Sequence, residues 1–255
     1  GHAARAGVLA ALLAREGFSA NPSALDGPLG VFAVFGGEAD RGRPVALEAL
    51  GAPWEAETPG INLKKYPSCG GTHTAIDLML DLVGEGVTAD AIEGIHCRLA
   101  DVVRRILVHA RPQTGLEGKF SLEYCLAAAA VDGEVTLGQF EDAMVRRPEI
   151  ERLIARTRVD SHPAVPGETK DLRTELTVTL AGGRQIVRQA ATPRGDATRP
   201  LGPREIREKY ERCAGLVLSP RQVGRSFELV DTLDEVPRIG ELADALRPSG
   251  KGRAR

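Results

Sequence analysis

Several features that would place this 255-residue sequence in a functional class are missing from it. It has no excess of positive charge: the formal net charge is −2, whereas phosphate neutralisation requires a basic surplus on the binding face, so a nucleic-acid partner is not expected. No apolar run reaches the roughly 18 residues that mark a membrane span, and Gly1-His2-Ala3-Ala4-Arg5 lacks a secretory signal pattern. The expectation is therefore a cytoplasmic protein with no membrane partner. The four cysteines (Cys69, Cys97, Cys125, Cys213) lie far apart, without C-x-x-C or metal-ligand spacing, which reads as free thiols and argues against an iron–sulfur cluster. Lysine is scarce, six against 27 arginines, so the adjacent pair Lys64-Lys65 stands out from its background.

What is present is a globular composition, 42% hydrophobic and 27% charged, on a chain long enough to bury a substantial core. There is no initiating Met. An Ala-rich stretch from Ala3 to Glu16 puts Val8, Leu9, Leu12 and Leu13 on one helical face, with Gly17 as C-cap. A chain opening inside such a helix is expected to have sequence upstream. A second helix is predicted around 24–35, and Glu38 to Leu50 is polar and unassigned.

Further along, Ile61 to Tyr66 reads as extended up to Pro67. Gly70-Gly71 breaks the chain, and Thr72 is a candidate N-cap for a helix to about Val83. Ile92 to Leu99 alternates like a strand. Ser121 caps a helix through Ala130, Thr136 with Gln139 forms a capping-box pattern, and Pro148 opens another helix. Val159 to His162 is a candidate strand. Thr174–Leu180 and Gln185–Ala190, separated by Gly182-Gly183, have the signature of a β-hairpin. Helices are predicted over 203–213, 220–233 and 238–246. The division expected is 1–57 as part of a helical domain, 58–194 as an inserted α+β lid, 195–246 as a return to the helical domain and 247–255 as a disordered basic tail. The fold class is α+β, mostly helical with an inserted α+β lid and an incomplete N-terminus.

The segment Lys64-Lys65-Tyr66-Pro67-Ser68-Cys69-Gly70-Gly71-Thr72-His73 carries the clearest chemistry. A lysine beside the N–H groups of a helix start favours an anion, and His73 in the first turn is placed to act as acid or base. Alternation puts Lys64 and Lys65 on opposite faces, so only one enters a given pocket. On residue types alone, a solvated lysine pair and a polar first-turn histidine account for the same pattern.

The segment, followed by Ala75-Ile76-Asp77, resembles the central motif of the MmgE/PrpD family, which includes 2-methylcitrate dehydratase, cis-aconitate decarboxylase and iminodisuccinate epimerase. Residues 1–14 with Glu16-Gly17-Phe18 and Leu25-Asp26-Gly27 resemble the family in the same order. So do Lys119-Phe120-Ser121-Leu122-Glu123-Tyr124-Cys125, Val131-Asp132-Gly133, Pro193-Arg194-Gly195 and the 201–213 helix. The resemblance implies a helical domain plus an α+β lid with the active site in the cleft between them. It also implies a homodimer, no metal or organic cofactor, and a small polycarboxylate substrate. By the resemblance Lys64 matches the motif lysine, His73 a motif histidine and Tyr124 a tyrosine of some members. Lys64, His73 and Tyr124 are thus the catalytic candidates, and Lys64, Gly70, Gly71 and Thr72 the substrate-binding ones. The reaction expected is 2-methylcitrate dehydratase-like loss of water, a hydro-lyase activity. The alternatives are decarboxylase- or epimerase-like activity, or a non-catalytic fragment or subunit needing a separate N-terminal half. Cys69 reads more simply as a small packed thiol, and Tyr124 alone as a ring packing on Phe120.

Overall fold

The computed structural model describes residues 1–36, 51–54, 56–162 and 173–248. The polar 38–50 stretch and residues 249–255 of the expected basic tail lie outside them. The chain divides into two compact units, Gly1–Pro59 and Gly60–Arg255. In the first, α1 (His2–Arg15) ends where Gly17 takes a φ of 85°, and the Phe18 N–H reaches back to the Leu13 carbonyl at 3.0 Å. That is the left-handed closure a glycine at this position permits. The predicted second helix shortens to α2 (Val31–Phe35). Pro22, Gly27, Pro28 and Gly30 occupy the stretch before it, and each interrupts or weakens a helical ladder.

The second unit is built around two buried helices and a sheet. Its elements are α3 (Gly70–Gly84), β1 (Ile92–Leu99), α4 (Asp101–Ile106), α5 (Gly115–Gly118), α6 (Leu122–Asp132), α7 (Asp142–Val145), α8 (Pro148–Ile154), β2 (Thr157–Ser161), β3 (Thr174–Leu180), β4 (Gln185–Ala190), α9 (Pro203–Ala214), α10 (Pro220–Asp231) and α11 (Ile239–Ala245). The strand order is β2-β1-β3-β4. β1 runs parallel to β2, reached by the long helical crossover such a pair requires, and antiparallel to β3. β3 and β4 form the expected hairpin, with Gly182 and Gly183 both at positive φ as a tight primed turn demands.

Strand alternation sorts the sheet cleanly. Ile95, Cys97, Leu99, Leu176, Val178 and Leu180 form the buried face, against α3 residues Ile76, Met79 and Leu82 and α6 residues Leu122 and Leu126. Each such large side chain contributes about 1.5–3 kcal/mol on burial. The other face is polar: Arg98 pairs with Glu175 directly opposite, and His96 meets Asp160 at 2.9 Å. Helix α6 is buried all round from Leu122 to Ala130, and its run Ala127–Ala130 brings neighbouring backbones close. Among the described residues no helix is long and apolar enough to cross a membrane.

Two caps differ from expectation. Helix α3 begins at Gly70 with Cys69 as N-cap, because the Thr72 hydroxyl donates backwards to the Cys69 carbonyl at 2.8 Å instead of capping forwards. Thr136 does bond Gln139, but the turn it starts is a short 3-10 segment, Gly138–Phe140, followed by α7.

Candidate active-site loop at the start of helix α3

Every residue from Leu63 to Cys69 except Pro67 makes a hydrogen bond, and several of these reach far along the chain. The Leu63 N–H donates to the Gly195 carbonyl at 2.7 Å. Gly195 is buried at φ 92°, and a Cβ there would collide with the Leu63 carbonyl oxygen. At the other end, the Cys69 N–H donates to the Lys119 carbonyl at 2.9 Å. Gly71 is pressed against Val103 of α4, with no room for a Cβ.

Between these anchors, Tyr66 is buried and its hydroxyl donates to Asp77 Oδ1 at 2.6 Å. Asp77 lies on α3 with 1% of its surface exposed, and its Oδ2 accepts the Arg194 N–H at 2.6 Å. The Arg194 guanidinium lies 3.5 Å from Asp77 Oδ1 and 2.6 Å from Asp81 Oδ1. Burial and the adjacent Asp77 carboxylate push the Tyr66 phenol far above its ordinary pKa. Burial works against charge on Arg194, but the bond to Asp81 and the charge on Asp77 outweigh it, so the guanidinium is held protonated.

The two lysines have different partners, although both line the same groove, contrary to the expectation from alternation. Lys65 pairs with Glu205 of α9 at 2.7 Å, and that bond lowers the Glu205 pKa. Lys64 is exposed and has no carboxylate partner among the described residues; its Nζ lies 3.3 Å from the Ser68 carbonyl oxygen. His73 Nε2 approaches the same oxygen at 3.4 Å. A carbonyl only accepts, so this contact calls for the proton on Nε2. His73 is 2% exposed and stands edge-on to Tyr66 with ring centroids 5.2 Å apart. Burial chiefly lowers its pKa, partly offset by the Ser68 carbonyl and reinforced by the charge of Lys64, so it is neutral at pH 7.

The structure thus brings Lys64 and His73 to one backbone atom. Gly70, exposed, and Gly71, half-buried, form the helix start beside them; Thr72 is fully buried, its hydroxyl 2.8 Å from that of Ser68. Tyr124 lies elsewhere in the core. Its hydroxyl donates to the Gln139 carbonyl, and its ring stands edge-on to Phe140 at 5.7 Å. The ring partner is therefore Phe140, whereas Phe120 precedes the helix cap at Ser121. Cys69 is half-buried, and the thiol of buried Cys125 is pushed up to about 12 by burial.

Lys64, Lys65, Tyr66 and Pro67 form one wall of an open groove of about 870 Å³. The other walls are the 133–138 turn and the α9 side chains Glu205, Glu208, Lys209 and Arg212. Arg212 pairs with Glu134 at 3.0 Å; like Lys64, Lys209 has no carboxylate partner among the described residues. Sequence reasoning gave no role to Asp77, Arg194 or Glu205. The Asp77–Arg194 contact spans 117 residues, and no local spacing encodes such a pair.

A family model described as MmgE/PrpD C-terminal domain matches residues 66–235. A cis-aconitate decarboxylase of Mus musculus is 25% identical over 254 residues, 97% of this chain and 51% of the relative. The human protein of the same name is also 25% identical, over 97% of the chain and 52% of the relative. A 2-methylcitrate dehydratase-like protein of Aspergillus oryzae, oryR, is 28% identical over 48% of the chain and 25% of its own length. The chain spans about half the length of the decarboxylases it matches.

Proposed function

Because this chain belongs to the MmgE/PrpD family, we propose that it supplies one wall of the cleft of a lyase acting on a small polycarboxylic acid. The observation that carries the reading is the convergence of Lys64 and His73 on the Ser68 carbonyl, at 3.3 and 3.4 Å, beside the start of α3, with Lys64 lining an open groove. An exposed ammonium with helix-start N–H groups holds a carboxylate by fixed charge and dipole. Lys64 takes that role, with Gly70, Gly71 and Thr72 contributing the helix start.

Loss of carbon dioxide breaks the bond between the carbon skeleton and the departing carboxyl. The electron pair passes into the skeleton, and carbon takes up a proton. Loss of water instead removes a proton from carbon next to a carboxylate and delivers one to the departing hydroxyl. In either case a proton carrier must stand near the bound acid, and His73, which shares the Ser68 carbonyl with Lys64, is taken as that group. Tyr124 takes part only if its hydroxyl leaves the Gln139 carbonyl. The opposite wall of the cleft comes, in this reading, from sequence outside the chain, in the same polypeptide or a separate one, and the assembly is a homodimer.

Decarboxylation of a cis-aconitate-like acid is the first reading, since decarboxylases match along 97% of the chain. Dehydration of a 2-methylcitrate-like acid is the second, supported by the relative of that name over 48%. Ultraviolet absorbance of the conjugated double bond, followed with cis-aconitate, citrate and 2-methylcitrate, separates them. A fall in signal with release of carbon dioxide from cis-aconitate supports the first, and a rising signal from 2-methylcitrate supports the second. Turnover of none of the three by the dimeric protein containing this chain contradicts both.

A further inference from the structure

The loop that carries Lys64 has little secondary structure to hold it, yet its position is defined by residues far away in sequence. Leu63 is tied to Gly195, Lys65 to Glu205, and Tyr66 to Asp77. Asp77 is the centre of this arrangement. Its carboxylate, 1% exposed, accepts one bond from the Tyr66 hydroxyl and one from the Arg194 backbone N–H, each at 2.6 Å, with the Arg194 guanidinium at 3.5 Å. Tyr66 in turn stands edge-on to His73 at 5.2 Å. One buried carboxylate therefore links the loop bearing Lys64, the ring beside His73 and the 193–195 segment that holds Leu63.

We propose that Asp77, acting through the Tyr66 hydroxyl, is the positioning residue that sets the geometry of Lys64 and His73. The inference rests on the lyase reading above. Asp81 provides an internal control, because it binds the same guanidinium at 2.6 Å while the Tyr66 hydroxyl bonds Asp77 instead. If Asp77 served only to anchor Arg194, loss of Asp81 would resemble loss of Asp77. If it positions the loop, Asp77→Asn and Tyr66→Phe resemble each other and Asp81→Asn does not.

The test uses the active protein containing this chain, with cis-aconitate as probe if it is turned over and 2-methylcitrate otherwise. Tyr66→Phe keeps the ring and removes only the hydroxyl. It is expected to lower kcat about tenfold or more with KM changed less, at an unfolding temperature close to that of the parent. Asp77→Asn is expected to lower kcat similarly, and the double variant no further than the worse single one, since both remove the same link. Asp81→Asn is expected to stay within about twofold of the parent. If Asp77→Asn does not fold, Tyr66→Phe alone decides. Parent-like kcat in Tyr66→Phe, alongside an inactive Lys64→Ala, overturns the positioning role and leaves the lyase reading intact. Full activity in Lys64→Ala overturns the role given to Lys64, and this inference with it, whereas turnover of neither probe by the parent overturns the lyase reading.

Discussion

Glu123 sits in the first turn of α6 with 6% of its surface exposed. Burial raises its pKa above the ordinary 4.5, with its own backbone N–H and the charge of Arg104 only partly opposing. A carboxyl whose folded pKa is raised contributes stability that is fully present below its unfolded pKa and is lost as pH rises through the folded one. Glu123→Gln, which mimics the protonated acid, should therefore raise the unfolding temperature at pH 8 and leave it unchanged at pH 4. Equal shifts at both pH values would contradict this assignment. Gly195 allows a second residue-scale prediction. With φ at 92° and the Leu63 carbonyl in the way, Gly195→Ala should cost at least about 1–3 kcal/mol in denaturant unfolding. It should also weaken turnover by displacing the Lys64 loop. At this scale the scarcity of lysine and the neighbouring motif mark Lys64 in the sequence, but both Lys64 and Lys65 line the same groove, which strand alternation did not foresee. The sequence was not legible for Asp77, Arg194 or Glu205, because their partners come from distant segments and only folding creates the contact.

Helix α6 tests the account at the level of elements. Ser121, fully buried, accepts the Tyr124 N–H at 3.1 Å, as its N-cap position predicts, so Ser121→Ala should cost about 1–2 kcal/mol. Ala128, fully buried in the Ala127–Ala130 run, has no space for a larger group; Ala128→Leu should cost about 1–3 kcal/mol by overpacking. Both are measured by chemical denaturation, and a neutral Ala128→Leu would mean that the α6 surroundings are looser than described. Elements with strong local signals are legible in the sequence: the β3–β4 hairpin from its alternation and Gly-Gly turn, α6 from its serine cap, α8 from its leading proline. The reading failed where local signals competed. Thr72 spent its hydroxyl on a backward bond to Cys69, and the glycines and prolines before Val31 cut short a helix that hydrophobic spacing alone had extended.

Across the whole molecule, the main core cluster runs from Tyr66 to Leu180, entirely within the unit that begins at Gly60. A chain of residues 60–248 should accordingly unfold in one cooperative transition, with heat and denaturant probes coinciding. The order of helices, mixed sheet and helices could be read from the pattern of periodicities. The β2-β1-β3-β4 order, with one parallel pair, could not, since pairing over a long crossover leaves no local trace. The proposed lyase function turns on the exposed amine of Lys64. Lys64→Ala, assayed for turnover of cis-aconitate and 2-methylcitrate in the active protein containing this chain, is the decisive measurement. The account predicts a loss of kcat/KM of about a hundredfold or more, with the unfolding temperature unchanged. Parent-like turnover would show that the carboxylate is held elsewhere.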